Sequence, residues 1–341
     1  MLTSIDFKIF KEVLTFLPHN TIVITSHELV DLDGAASAIA LNFFLHSLVN
    51  DLTTHLYFSS ISKNTKIFLE RLNVKFPNLA LKIVDSLKNI EADRYFIVDT
   101  NKLKNISQFL NLSADQKTEN YFFFIDHHYY EEPSSSEPFT AQGLFKDEYS
   151  STCEIIVDLF QEFKIELTKS LRYLLIAGII TDTGYFKYAN NSTIHILAKL
   201  LKNDIDIQEI RLMLKIEPHI SEKIAKIKGT QRNEMIKVND WLIGLSHVSS
   251  FEAKVANALI RLGFDIAMVI AEKTDQFRIS LRAKQKICRE TGLHLGKLLE
   301  EIASKYNASG GGHDGAAAIT IDKKVGSLRE VILTQIEKVL A

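Results

Sequence analysis

The sequence predicts an α/β protein. An N-terminal parallel sheet with flanking helices leads through a helical connector into a smaller mixed-sheet α/β domain. Three observations carry this reading. Up to residue 190, short unbroken apolar runs that end on polar residues alternate with helix-period segments, the pattern of βαβ units. Residues 191–230 are helical in pattern with few breakers. From residue 231, paired apolar stretches flank the turn signals Asn239-Asp240 and Thr274-Asp275, as hairpins do. A chain of 341 residues exceeds one typical core. The expected division is therefore 1–190, 191–230 and 231–341.

The elements follow in order. Thr21-Ile22-Val23-Ile24-Thr25 is β-branched and predicts a buried strand. It runs into Ser26-His27-Glu28-Leu29-Val30-Asp31-Leu32-Asp33-Gly34, and Ala35 to Leu48 has the density of a helix. His27, Asp31 and Asp33 are thus expected in one loop at a strand's C-terminal end. A helix-capping Asp explains one of those acids, but not two acids and a histidine. Strand-like segments recur near Thr54 to Phe58 and Leu81 to Val84, with Asn64 to Leu72 helical between them. Tyr95-Phe96-Ile97-Val98 then ends on Asp99, and Phe122-Phe123-Phe124-Ile125 ends on Asp126-His127-His128. Apolar runs of this length suit strands buried on both faces, and residues just beyond their C-terminal ends face the crevice where open α/β sheets bind ligands. Asp and His are also ligands of hard and borderline divalent ions.

Glu131 to Glu137 is expected as a loop, and Ser151 to Phe163 as a helix with Cys153 as a small core residue. Leu171 to Ile180 predicts a buried helix that delivers Asp182 at its polar end, and Tyr185 to Asn190 closes the segment. In the connector, His195 and His219 are expected at the surface. Beyond it, Glu234 to Val238 with Trp241 to Ser246, and Ile266 to Ala271 with Phe277 to Leu281, are expected as hairpins. Phe251 to Leu262, Leu293 to Tyr306 and Leu328 to Leu340 are expected as helices, and Ala316 to Ile321 as a strand. Ser309-Gly310-Gly311-Gly312-His313-Asp314 is the motif of this second unit, since consecutive glycines let backbone N–H groups turn toward an anion. Arg282, ending an apolar strand, could clamp phosphate in a bidentate manner.

Composition limits the functional classes. A hydrophobic content of 46% with 24% charged residues describes a globular protein, and no apolar run reaches membrane-span length. Residues 1–20 lack a signal-peptide core, and two distant cysteines imply no disulfide framework, so a cytoplasmic location is expected. A net charge of −2 argues against coating long duplexes. That charge is uneven: 16 Lys and Arg face 13 Asp and Glu from Arg232 onward, leaving 24 against 29 before it. An acidic first part suits metals, and a basic second part suits an anionic ligand.

In this order, the segments His27-x-x-x-Asp31-x-Asp33, Asp99, Asp126-His127-His128, Asp182-Thr183-Gly184 and Gly310-Gly311-Gly312-His313 resemble the DHH/DHHA1 phosphoesterases. That family includes RecJ-like exonucleases, oligoribonucleases and cyclic dinucleotide phosphodiesterases, and the resemblance spans nearly the whole chain. It implies a catalytic, metal-binding DHH domain over 1–190 and a substrate-binding DHHA1 domain over 231–341. It also implies two Mn²⁺ ions, with Mg²⁺ as the alternative. One would be held by His27, Asp31 and Asp99, the other by Asp33, Asp99, His127 and Asp182. Asp126 would orient His127, and His128 would meet the scissile phosphate. Arg282, Gly310, Gly311, Gly312 and His313 would hold the rest of the substrate.

The implied reaction is hydrolysis of short single-stranded RNA or DNA, with 3′-phosphoadenosine 5′-phosphate as a further substrate. A cyclic dinucleotide phosphodiesterase is the alternative, and a non-catalytic replication or repair partner a third reading. A homodimer and a replication or repair protein partner are both left open, and no membrane partner is expected. The first loop lacks the Asn-Pro-Asp-Gly wording of the oligoribonuclease branch, and the glycine motif ends in three alanines. No OB-fold accompanies these domains, so short substrates are expected.

Overall fold

The computed structural model describes residues 2–79, 81–102, 106, 122–130, 142–273, 275–322 and 328–340. The loop expected at Glu131 to Glu137 lies outside the described residues. Two compact units are present, Met1–Ile216 and Glu217–Ala341.

The first unit opens with α1 (Ser4–Thr15), started by a reciprocal cap in which the Thr3 hydroxyl and the Asp6 carboxylate each accept the other's backbone N–H. Then come β1 (Thr21–Thr25), β2 (Leu29–Val30), α2 (Leu32–Leu48), β3 (Thr53–Tyr57), β4 (Ser60–Ile61) and α3 (Lys63–Lys75). They are followed by β5 (Ile83–Val84), β6 (Arg94–Val98), β7 (Phe122–Asp126), β8 (Gln142–Phe145), α4 (Thr152–Glu162) and α5 (Lys169–Asp182). Helices α6 (Asn191–Leu201) and α7 (Ile207–Leu214) close the unit.

Six strands form one sheet in the order β5-β3-β1-β6-β7-β8, every pair parallel. The chain builds outward one way from β1 and then the other way from β6, so the topological switch point falls between β1 and β6. That is where open α/β sheets bind ligands, beyond the strands' carboxyl ends.

The unbroken apolar run of β7 has a simple cause. Alternate residues of a strand point to opposite faces, and both faces here are covered. Phe123 and Ile125 pack into the main core with Phe10, Phe44 and Phe96, while Phe122 and Phe124 pack into a smaller cluster with Val23, Tyr95 and Ile97. The Phe123 ring lies 5.6 Å from those of Phe10 and Phe96, and Phe122 stacks on Tyr95 at 5.2 Å. Helix α2 is buried over most of its length and packs closely on α5 through small residues. A Cβ on Gly178 would stand 2.5 Å from the Cys153 sulfur and 3.3 Å from the Ala36 methyl, so a larger residue there would push the helices apart.

The second unit contains α8 (Ile220–Gln231), β9 (Glu234–Val238), β10 (Trp241–Val248), α9 (Glu252–Leu262), β11 (Ile266–Glu272) and β12 (Gln276–Ala283). These lead into α10 (Gln285–Thr291), α11 (Leu295–Lys305), β13 (Ser309–Gly312), β14 (Ala316–Asp322) and α12 (Leu328–Leu340). Its mixed sheet runs β13-β14-β12-β11-β10-β9, with β10 and β11 parallel and the other pairs antiparallel. The residues expected as a connector, 191–230, contribute α6 and α7 to the first unit and α8 to the second. Among the described residues, no helix is long and apolar enough to cross a membrane.

Candidate metal centre

The carboxyl ends of β1, β6 and β7 deliver His27, Asp99 and Asp126 to one edge of the sheet. Helix geometry supplies the other acids. Asp31 is the N-cap of α2 and accepts from the Gly34 N–H at 3.1 Å. Asp33 lies inside the first turn of α2, not in a free loop as the sequence suggested. The loop is shortened because Leu29 and Val30 pair with Ser60 and Ile61 in a two-stranded ladder. Asp182 is the last residue of α5.

These side chains converge as three interlocked groups whose ligand atoms lie within 4.8 Å of one another. They are His27, Asp31 and Asp99; Asp33, His127 and Asp182; and Asp99, Asp126, His127 and His128. Asp99 is central. Its two oxygens lie 3.5 Å from His27 Nε2 and 3.6 Å from His127 Nε2, and His127 Nε2 is 3.3 Å from Asp182. Asp99 also holds a left-handed backbone (φ 61°), a conformation Asp tolerates better than most residues. Its N–H donates to the Ile125 carbonyl at 3.0 Å, tying the end of β6 to that of β7.

The two histidines differ. His128 Nδ1 lies 2.8 Å from Asp126 Oδ1. The buried carboxylate thus orients His128, whereas the family resemblance assigned that service to His127. The chain bends at His128 just past β7, and the two imidazoles lie side by side with ring centroids 4.3 Å apart. The Asp126 hydrogen bond pushes the His128 pKa up, while burial pushes those of His127 and His27 down. His127 therefore favours the neutral imidazole that ligates metals, and His128 the protonated form that meets anions.

The acids resist ionisation in this crowd. Burial, and then Asp33, Asp31, Asp182 and Asp126, push Asp99 well above the ordinary carboxylate range. Burial and Asp31 push Asp33 up to about 6, against hydrogen bonds from α4. Burial and Asp33 push Asp182 up to about 7, opposed by His127. The four groups acting most strongly on Asp99 besides burial are all carboxylates, so the cluster calls for a cation. His127 Nε2 and Asp126 Oδ2 are buried with no hydrogen-bond partner. A buried imidazole nitrogen aimed at two carboxylates but bonded to neither is what a ligand atom looks like without its ion. The donor set, mixed carboxylate and imidazole, fits divalent metal ions.

Two supports were not visible in the pattern of the sequence. The N-terminus of α4 grips the acids: the Thr152 and Cys153 N–H groups donate to the two Asp33 oxygens at 2.7 and 3.0 Å, and the Thr152 hydroxyl donates to Asp99 at 3.2 Å. The Asn101 amide holds the carbonyls of His128 and Tyr129 at 3.2 and 3.1 Å. Ser151-x-x-Glu154 is a helix-start signal that could have placed Thr152 at a helix N-terminus. Nothing local could have told that its partner lies over a hundred residues away.

The other proposed substrate residues lie in the second unit. Gly310 to Gly312 form an edge strand paired with β14, not a free anion loop. A Cβ on Gly312 would lie 2.3 Å from the Ala316 carbonyl, and one on Gly296 would lie 2.1 Å from the Gly312 carbonyl. The glycines therefore permit close backbone packing. The His313 and Asp314 carbonyls accept the first N–H groups of α11, and the His313 imidazole is exposed. Arg282 pairs in register with Ala316, next to Gly312 opposite Ala317, so Arg282 and the glycine strand share one end of the sheet. The Arg282 guanidinium turns back onto the Leu281 carbonyl at 2.8 Å.

A parallel α/β sheet with a carboxylate–imidazole cluster at its switch point, followed by a mixed-sheet unit, describes a metal-binding α/β protein. Residues 21–179 match the DHH family, N-terminal domain, and residues 253–341 match the DHHA1 domain. The chain belongs to the DHH/DHHA1 family, whose members are phosphoester hydrolases. It is 29% identical over 327 residues to an uncharacterised protein of Methanocaldococcus jannaschii, spanning 95% of this chain and 94% of that one. Its fold is similar to that of an exopolyphosphatase-related protein from Bacteroides fragilis, with 21% identity, 99% and 97% coverage and a TM-score of 0.63. A manganese-bound exonuclease RecJ is a more distant likeness, with 12% identity, 99% and 94% coverage and a TM-score of 0.46.

Proposed function

We propose that the protein is a Mn²⁺-dependent phosphodiesterase that removes nucleotides from short single-stranded RNA or DNA. The observation that carries this is the pair of ligand groups joined through Asp99, with His127 Nε2 buried and unpartnered between two acids. His27, Asp31 and Asp99 would hold one ion, and Asp33, Asp99, His127 and Asp182 the other, Mn²⁺ in this reading with Mg²⁺ as the alternative. Such ions, when bound, lower the pKa of water and draw charge from phosphoryl oxygens.

The chain's own groups do the rest. Thr152 and the α4 N-terminus fix Asp33 and Asp99, so the ligand oxygens are aimed before any ion arrives. His128, whose pKa Asp126 raises, is exposed and would offer Nε2–H to a phosphate oxygen or to the leaving oxygen. Arg282, His313 and the Gly310 to Gly312 strand would hold the remaining nucleotide from the basic second unit.

The test is turnover of labelled di- to pentanucleotides, ribo and deoxyribo, with Mn²⁺ or Mg²⁺, beside cyclic di-AMP and 3′-phosphoadenosine 5′-phosphate. Wild-type protein should shorten linear oligonucleotides, and Asp99→Asn should lose about three orders of magnitude in kcat, on the scale of removing a shared ion-positioning ligand. Linear substrates left intact, or Asp99→Asn behaving as wild type, would falsify the reading. Faster cleavage of the cyclic substrate would move it to the cyclic dinucleotide branch.

A further inference from the structure

Directly after Asp182 the chain makes an unusual turn. Gly184, Tyr185 and Phe186 have φ of 57°, 57° and 72°, three successive residues in the left-handed region. Glycine enters that region freely, but each aromatic residue there costs on the order of 1–2 kcal/mol. The hook is nonetheless firmly held. The Tyr185 N–H donates to the Ile180 carbonyl at 2.8 Å, the Phe186 N–H to the Thr183 hydroxyl at 3.3 Å, and the Tyr188 N–H to the Thr183 carbonyl at 3.0 Å.

The hook is also tied to the segment that grips the acids. Ser150 donates its hydroxyl to the Tyr188 carbonyl at 3.3 Å, and the Asn190 amide donates to the Glu148 carbonyl at 3.2 Å. Two residues past Ser150, Thr152 holds Asp33 and Asp99.

This strained geometry does not serve the core. Tyr185 is 58% exposed and Tyr188 64% exposed. The Tyr188 ring lies edge-on to Gly184, where a Cβ would stand 3.2 Å from it, and Lys187 Nζ sits 4.7 Å above the ring while donating to its hydroxyl. Tyr129 follows His128 and is 73% exposed, its carbonyl held by Asn101. His127 lies 3.3 Å from Asp182, three residues before Tyr185, so both aromatic segments leave the same cluster. Exposed rings on hydrogen-bonded backbone next to a cluster suited to phosphoester chemistry match the aromatic platforms on which unpaired bases stack.

We propose that Tyr185 and Tyr188 on the hook, with Tyr129 just past His128, stack the nucleobases that border the reacting phosphate. The site then selects nucleotide chains over base-free phosphodiesters. This inference rests on the phosphodiesterase reading and deepens it.

The test compares a dinucleotide with its analogue in which one base is replaced by hydrogen. The variants are Tyr185→Asn, which tolerates the left-handed backbone while removing the ring, and Tyr188→Ala, with Tyr185→Phe as the restoring control. Melting temperature and Mn²⁺ binding verify that each variant keeps its fold and its ion site. For the intact dinucleotide, Tyr185→Asn should raise KM about 5- to 150-fold with kcat within about threefold, the loss expected of one base–ring stack. The analogue's KM should hardly change, and Tyr185→Phe should match wild type.

Calorimetric binding of the dinucleotide in EDTA reads the stack without turnover. Wild type that binds but does not cleave, with Tyr185→Asn weakened, sinks the phosphodiesterase reading and leaves the stacking. Unchanged KM and binding in both ring variants, or an equal loss on the analogue, overturns the stacking. Wild type that neither binds nor cleaves overturns both.

Discussion

Gly34 shows how closely the acids and the start of α2 approach. A Cβ there would stand 2.4 Å from the Ser26 hydroxyl and 3.2 Å from Asp99 Oδ2. Gly34→Ala must therefore displace Ser26 or Asp99, and Asp99 is held by the Thr152 hydroxyl and by its own N–H. We expect a loss of about 1–3 kcal/mol in denaturant unfolding, the usual range for an overpacked site, and a fall of about tenfold or more in Mn²⁺ affinity by titration. Unchanged ion affinity would show that Ser26 alone gives way. At this scale the sequence was informative about which acids and histidines gather and silent about their mutual orientation. His27, Asp99, Asp126 and His127 could be found because each follows an apolar run. The pairing of Asp126 with His128 depends on the bend of the chain just past β7, which no local pattern announces. Thr152 and Asn101 could not be found, because a hydroxyl or an amide shows its role only when its distant partner is placed.

Helix α4 carries a second buried acid whose behaviour belongs to the element. Glu154, in its first turn, is fully buried; one oxygen accepts from Thr193 at 3.0 Å and the other has no partner. Burial pushes its pKa up to about 7, with the hydrogen bonds opposing. The unfolded chain releases this proton near pH 4.3, so folding loses stability as pH rises from about 4 to about 7 and is flat above. Glu154→Gln has no proton to release. Its melting temperature relative to wild type should therefore become more favourable between pH 5 and pH 8, measured by calorimetry in EDTA. A constant difference across that range would mean that Glu154 is ionised or solvated. Most elements were legible, because strands buried on both faces and small-residue helices leave clear patterns. The exceptions have physical reasons. β2 and β4 are two residues each, too short for a period. β13 is mostly glycine, and its strand state comes from pairing with β14 and from the start of α11 packing against Gly312 at Gly296. The left-handed hook at 184–186 reads as an ordinary aromatic stretch, since its conformation is imposed by Thr183 and Ile180.

At the scale of the molecule, the first unit folds around carboxylates that repel one another, and its stability should therefore depend on ions and pH together. Without ions, Asp33 and Asp182 titrate at about 6 and about 7 in the fold, against about 3.9 in the unfolded chain. A raised carboxylate is no burden while protonated in both states. The ion-free protein thus loses stability progressively from about pH 4 to about pH 7, and above that the full repulsion is present. Divalent ions bind the ionised carboxylates and the neutral imidazoles, so their affinity rises through the same window. The expected result is a small Mn²⁺-induced gain in melting temperature at pH 5.5 and a large one at pH 8. With the ion at one hundred times its Kd, the gain at pH 8 should be about 5–10 °C for each ion bound, from about 2.7 kcal/mol per site acting on a unit of this size. Calorimetry with EDTA or MnCl₂ at both pH values, on wild type and on Asp99→Asn, reads this directly. The variant should lose most of the Mn²⁺ gain at pH 8 if, as proposed, both ions use that one side chain, and in EDTA it should melt higher than wild type, because the buried acid that its neighbours oppose is gone. An equal Mn²⁺ gain at both pH values, or a gain undiminished in the variant, would place the ion elsewhere and leave the buried acids as a purely structural network.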